Sequence, residues 1–76
     1  MKTLKKGYHY LVEFRIKQGG NASYTPREEI RIMDVSGVYY QVEFVDHNNV
    51  QWLEKKLFFD KHDTVDYGYI VHRCLS

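Results

Sequence analysis

Apolar and polar residues alternate along most of this chain. From Tyr8 to Lys17, the residues Tyr8, Tyr10, Val12, Phe14 and Ile16 share one parity; His9, Glu13, Arg15 and Lys17 share the other with Leu11. Such a sustained period of two predicts a half-buried strand. The stretch Gln18-Gly19-Gly20-Asn21-Ala22-Ser23-Tyr24-Thr25-Pro26 breaks the pattern and reads as the longest loop, with glycines for backbone freedom and Pro26 at its close. Glu28 to Val35 admits two readings. Thr25, Pro26 and Glu28 fit an N-cap, a first helical position and a capping box. Ile30 and Ile32 alternate with Glu29 and Arg31 as in a strand, and the turn residues Ser36-Gly37 favour that reading.

From Val38 to Val45, the residues Val38, Tyr40, Val42 and Phe44 line one face and Tyr39, Gln41 and Glu43 the other. Asp46-His47-Asn48-Asn49 is a turn, since Asp and Asn tolerate left-handed backbone. Val50-Gln51-Trp52-Leu53 returns as a short strand, which makes a hairpin, with 28–35 as the third member of a meander. Trp52, alternating with Val50, fits the core as well as an exposed binding face. Glu54 to His62 loses the alternation; Leu53 and Leu57 stand four apart among lysines, which suggests a turn or two of helix. Val65, Tyr67, Tyr69 and Val71 then alternate with Asp66, Gly68 and His72 in a last strand. Gly68 inside it suggests a bulge or a close approach by another backbone. The expectation is an all-β domain over 8–76 with five short strands and one helical turn before the last, preceded by a basic N-terminal arm over 1–7.

Five strands, a long first loop and a helical turn before the last strand resemble the layout of an SH3-like barrel. The run Tyr40-Gln41-Val42-Glu43-Phe44-Val45-Asp46-His47-Asn48-Asn49-Val50-Gln51-Trp52-Leu53-Glu54-Lys55-Lys56-Leu57 is similar to the Tudor-type hairpin, where a Val-x-Phe-(Ile/Val)-Asp run meets a tight turn, a short strand and a spaced Leu. The family's turn usually reads Asp-Tyr-Gly-Asn. Here His47 takes the place of a tyrosine that helps to form the methylated-residue cage in binding members. No Ala-Leu-Tyr-Asp-Tyr run, Trp-Trp pair or late Pro-x-x-Tyr is present, so the resemblance implies a barrel without implying proline-rich ligands.

Composition sharpens this picture. Seven Tyr, four Phe and one Trp make 16% of 76 residues, against a single Ala (Ala22) and a single Pro (Pro26). The length excludes a two-domain enzyme or a β/α barrel. Twelve aromatics exceed what one small barrel can hide. The net charge of +1 argues against a generic polyanion binder, although residues 1–17 carry a local +4.

The chemistry follows from what is missing. Cys74 is alone, so it forms no intrachain disulfide, and no apolar run is long enough for a signal peptide core or a membrane span. The chain reads as cytoplasmic, and Asn21-Ala22-Ser23 as an ordinary polar loop. His9, His47, His62, His72 and Cys74 show no metal-ligand spacing, so no metal or other cofactor is expected. Ser23 and Ser36 fall in expected turns, Ser76 and Cys74 stand at the end of the sequence, and Asp60, Asp63 and Asp66, on a loop entering a strand, read as capping and solvating groups. An enzyme is not expected. Binding is, with a protein partner on surface aromatics: Tyr24, Tyr39, His47 and Trp52. The alternative is nucleic-acid binding through Lys2, Lys5, Lys6, Arg15, Lys17 and Arg31. An edge strand could also pair two copies as a homodimer.

Overall fold

A computed structural model describes residues 2–76. Seven strands form one mixed, open sheet: β1 (His9–Gln18), β2 (Asn21–Tyr24), β3 (Glu28–Ser36), β4 (Tyr39–Phe44), β5 (Asn49–Glu54), β6 (Phe58–Asp60) and β7 (Tyr67–Cys74). Among the described residues, helix is limited to two 3-10 turns, Val45–His47 and Lys55–Leu57. None is long and apolar enough to cross a membrane. The domain is all-β, as the alternation implies. The strand order is β5-β4-β3-β1-β7-β6, with β2 also pairing β1.

β1 is the spine of the sheet. Along one edge runs β7, antiparallel, from Tyr10 opposite Cys74 to Ile16 opposite Tyr67, with an irregularity at Leu11/Val12. Along the other edge β3 pairs with its first half and β2 with its second. The stretch expected to be a long loop is therefore mostly a hairpin. Gln18 pairs with Asn21 around Gly19-Gly20, and Gly19 takes a φ of 62°, which glycine adopts without steric cost. Farther on, Glu13 and Phe14 of β1 face Thr25, Pro26 and Arg27, which is a bulge. Pro26 has no N–H to offer a ladder. Thr25 bridges the gap: its N–H donates to the Phe14 carbonyl at 2.9 Å, and its Oγ1 accepts the Phe14 N–H at 3.0 Å. The hydroxyl that resembled a helix cap closes a bulge instead, and Glu28 opens a strand. Alternation misses β2 because all four of its residues are exposed.

The expected helical segment at 54–62 shrinks to one 3-10 turn, after which β6 pairs in parallel with β7, Phe58 opposite Tyr69. The last strand begins at Tyr67 and runs on to Cys74; Val65 is buried just ahead of it. Gly68 is the predicted close approach. Its φ is 153°, and a Cβ there would lie 2.6 Å from the Leu57 carbonyl oxygen and 2.7 Å from the Phe59 ring.

The core gathers Tyr10, Val12, Ile30, Ile32, Tyr40, Val42, Phe44, Phe58 and Val71, with Leu53, Leu57 and Tyr69 packed against it. Phe58 stacks on Tyr69 at 5.2 Å and meets Tyr40 edge-on at 5.5 Å. Such pairs add about 0.5–1.5 kcal/mol each beyond the area they bury. The basic arm completes this core. Leu4 is 3% exposed inside it, and the Leu4 N–H donates to Tyr40 Oη at 2.9 Å. The Lys5 N–H donates to Tyr10 Oη at 2.9 Å, and the Gly7 N–H to the Ile32 carbonyl at 2.7 Å. Two tyrosine hydroxyls at the core thus find main-chain donors, as groups removed from water must.

Leu4→Ala is expected to cost about 2–5 kcal/mol of unfolding free energy, the range for a buried leucine. Gly68→Ala is expected to cost about 1–3 kcal/mol through overpacking against Leu57 and Phe59. Urea denaturation of each variant measures both. A midpoint unchanged in Leu4→Ala would mean that the arm is not part of the folded core.

Candidate functional site

Two surfaces stand out, at different places on the sheet. The first is the outer face of the β4–β5 hairpin. Its register sets Tyr39 opposite Glu54, Gln41 opposite Trp52 and Glu43 opposite Val50. Since Tyr40, Val42 and Phe44 point into the core, all six of these side chains point outward. Trp52, which alternation leaves open to either face, is 49% exposed, beside Val50 at 45% and Tyr39 at 45%. Tyr39 and Trp52 are diagonal neighbours across the two strands, a spacing that aromatic side chains can bridge. Val38 extends the apolar surface at the hairpin's open end, where Gly37, Val38, Glu54, Lys55 and Lys56 line a depression of about 250 Å³. β5 ends the order of paired strands. It carries no Pro and, within Asn49–Glu54, a single charge at Glu54.

The second surface is a groove of about 410 Å³ between the N-terminal arm and the end of β7, lined in part by Lys2, Lys5, Tyr8, Lys61, His72 and Arg73. Lys2 Nζ donates to Asp60 Oδ2 at 3.3 Å, and His72 Nε2 lies 3.0 Å from Glu13 Oε1. Among the described residues Lys5, Lys61 and Arg73 have no ion-pair partner. Tyr8, by parity a core residue, precedes β1 and is exposed; Lys5 Nζ lies 5.9 Å from its ring centroid.

The remaining predicted residues are dispersed. Tyr24 sits on β2 opposite Arg15, whose guanidinium lies 5.7 Å from the Tyr24 ring while its Nε is buried without a partner. His47, in its 3-10 turn, faces Glu28 at 3.5 Å. Of the aromatic set, only Tyr39 and Trp52 come together. Of the cationic set, Lys2 and Lys5 share the groove. Lys6 reaches Asp34 at 3.5 Å, and Arg31 is held by Glu43 at 3.0 Å. Arg31 faces His9, six positions along β1 from Arg15, so Arg15 and Lys17 lie roughly 20 Å or more away. Sequence reasoning missed Lys61 and Arg73, which join Lys5 only through the β1–β7 pairing. Among the described residues no three His, Cys, Asp or Glu side chains converge to hold a metal.

Titration behaviour follows the local partners. Asp60 is held below the usual carboxylate range, first by the His62 N–H and then by Lys2. Burial pushes Tyr10 up against the opposing hydrogen bond from the Lys5 N–H, and it pushes Tyr69 up with help from the Glu28 charge. A lowered Asp60 stabilises the folded chain at neutral pH and loses that contribution as pH falls from about 3.9 through its lowered value. The raised tyrosines stabilise the fold below about pH 10, and this contribution is lost as pH rises through their folded values. Asp60→Asn is therefore expected to flatten the acid limb of a stability–pH curve measured by urea melts. In an alkaline absorbance titration, Tyr10→Phe and Tyr69→Phe should each remove a late phenolate step.

Comparison with known proteins finds no match to any family model, any curated protein or any solved structure.

Proposed function

We propose that the chain is a small SH3-like barrel that acts without catalysis, as an accessory or regulatory protein-binding module of the cytoplasm. The strand path supports the barrel reading: the last strand returns beside the first, a meander of β3, β4 and β5 follows, and a 3-10 turn leaves the hairpin. The observation that carries the binding reading is the outward cluster of Trp52, Tyr39 and Val50 on a strand at the end of the sheet. Single exposed apolar residues are ordinary on a small domain. Two aromatics and a valine on one face, beside an unprotected edge, are a less ordinary combination and a common form of recognition surface. A partner strand added along β5 would gain main-chain hydrogen bonds, with Trp52 and Tyr39 as side-chain anchors. The exposed free thiol of Cys74 fits a reducing compartment.

Trp52 is the chain's only tryptophan, so its fluorescence reports on this face directly. Emission is expected to be that of a solvent-exposed indole in the dilute protein and to shift to the blue when a partner covers the hairpin. With a partner captured from the source cell under nuclease treatment, Trp52→Ala is expected to weaken binding by about 2 kcal/mol or more, roughly 30-fold. A blue shift that depends on protein concentration alone, with a dimer in sedimentation, would identify the partner as a second copy. Retention of full affinity in Trp52→Ala and Tyr39→Ala would refute the reading.

A further inference from the structure

We infer that the groove between the N-terminal arm and β7 binds single-stranded nucleic acid, independently of the hairpin face. Three cations without carboxylate partners, Lys5, Lys61 and Arg73, come from three separate parts of the chain and meet around one concave surface. The one carboxylate in its lining, Asp60, is already engaged by Lys2 and by the His62 N–H. The lining therefore carries uncancelled positive charge, which suits an anion. Tyr8 decides which anion. It is exposed at the groove, with its ring backed by Tyr10 at 6.5 Å and 25° and Lys5 Nζ 5.9 Å from its centroid, so a base that stacks on Tyr8 displaces the Lys5 ammonium toward its phosphate. A supported aromatic face beside cations without carboxylate partners is the combination that holds single strands, in which a base stacks while Lys and Arg follow the phosphates. A carboxylate-rich peptide would use the cations and leave the ring idle. A duplex keeps its bases stacked within itself and offers Tyr8 no free face.

The fold holds the components of this groove in place. Lys5 is anchored through its own N–H to Tyr10 Oη, and Arg73 stands opposite Leu11 in the β1–β7 ladder. Lys61 leaves β6 inside a turn closed in both directions: the Asp60 N–H donates to Asp63 Oδ2 at 3.1 Å, and the Asp63 N–H donates to the Asp60 carbonyl at 3.0 Å. Binding then orders side chains on a backbone that is already set.

The test is fluorescence anisotropy of a labelled oligothymidylate titrated with the full chain at a series of salt concentrations. Three phosphate contacts predict a slope of log K against log salt of about −2. The double variant Lys5→Glu/Arg73→Glu should weaken binding roughly tenfold or more at low salt. Tyr8→Ala should weaken it roughly 5- to 150-fold by removing a stacking face. Lys61→Glu, in an exposed connection, repeats the charge test without touching the arm or β7. Arg27→Glu, exposed between β2 and β3 and outside the groove, should leave binding unchanged. Circular dichroism checks that each variant is folded. The inference is overturned by the absence of binding at low salt, by affinity unaffected in Lys61→Glu and in the double variant, or by polyglutamate competing as well as oligothymidylate does. The last result would assign the groove to an acidic peptide.

Discussion

The antiparallel pairing of β1 with β7 is the constraint on which the rest of the structure depends. It joins strands from opposite ends of the chain, so it forms only after a long loop has closed, an unfavourable step that local contacts cannot offset. Once formed, it sets Val12 beside Val71 and Phe14 beside Tyr69, whose rings lie 4.7 Å apart. Among the described residues β6 pairs with β7 alone, so Phe58 is set beside the strand that this ladder places, and its carbonyl also accepts the Lys2 N–H. Phe58 in turn stacks on Tyr69 and meets Tyr40, and Tyr40 Oη receives the Leu4 N–H that seats the arm. One nonlocal ladder thus determines the core, the docking of the N-terminal arm and the position of the groove.

The aromatic excess divides by partnership rather than by position in the chain. Tyr10, Tyr40, Phe44 and Phe58 are buried, and Tyr69 packs against three other rings at the edge of the core. Exposure does not by itself leave an aromatic free. Tyr67 meets Phe14 edge-on at 5.0 Å, and Tyr24 lies under Arg15. Both have an intramolecular reason to be where they are. Trp52 and Tyr39 have no ring or cation partner among the described contacts, although Tyr39 sits mid-face and Trp52 on the outermost paired strand. That difference ranks the hairpin face above Tyr24 and the hairpin tip as a protein-recognition surface.

Alternation revealed the strands that have one wet side and one dry side. β1, β3, β4 and β7 were legible because the core marks every second residue, as at Tyr40, Val42 and Phe44. β2 was not, since an arm exposed on both faces has no pattern to display. Trp52 shows a second limit. Periodicity groups Val50 with Trp52 but does not say which face they share. The hairpin register does: Phe44 pairs with Asn49 across the turn, so Trp52 must face the outward Gln41. An expected turn at 46–49 would already have set Val45 against Val50 and Trp52 against Glu43, on the same outward side. The information was in the turn length, not in the hydrophobicity. The groove was legible only in part. Lys2 and Lys5 stood out as an N-terminal cluster, whereas Lys61 and Arg73 are isolated cations that acquire neighbours only through β1–β7 pairing.

Net charge is a weak guide to such a surface, and the physical reason lies in where the acids are. Interactions between exposed charges fade over a Debye length of about 8–10 Å at physiological salt, so a groove responds to its own lining. Here carboxylates that bring the total near zero already have partners. Glu29 faces His9, Glu28 faces His47 and Glu43 holds Arg31, all outside the lining, while Glu13 sits at the groove on His72. Asp60 and Asp63 accept main-chain N–H groups in the turn that presents Lys61. The acidic triplet at 60–66, which on composition weighs against any anion site, therefore includes two residues that build one wall of the groove. A chain can be almost neutral and still present a concentrated local field, provided its acids are used as structural acceptors. In this fold Asp60 and Asp63 have that role.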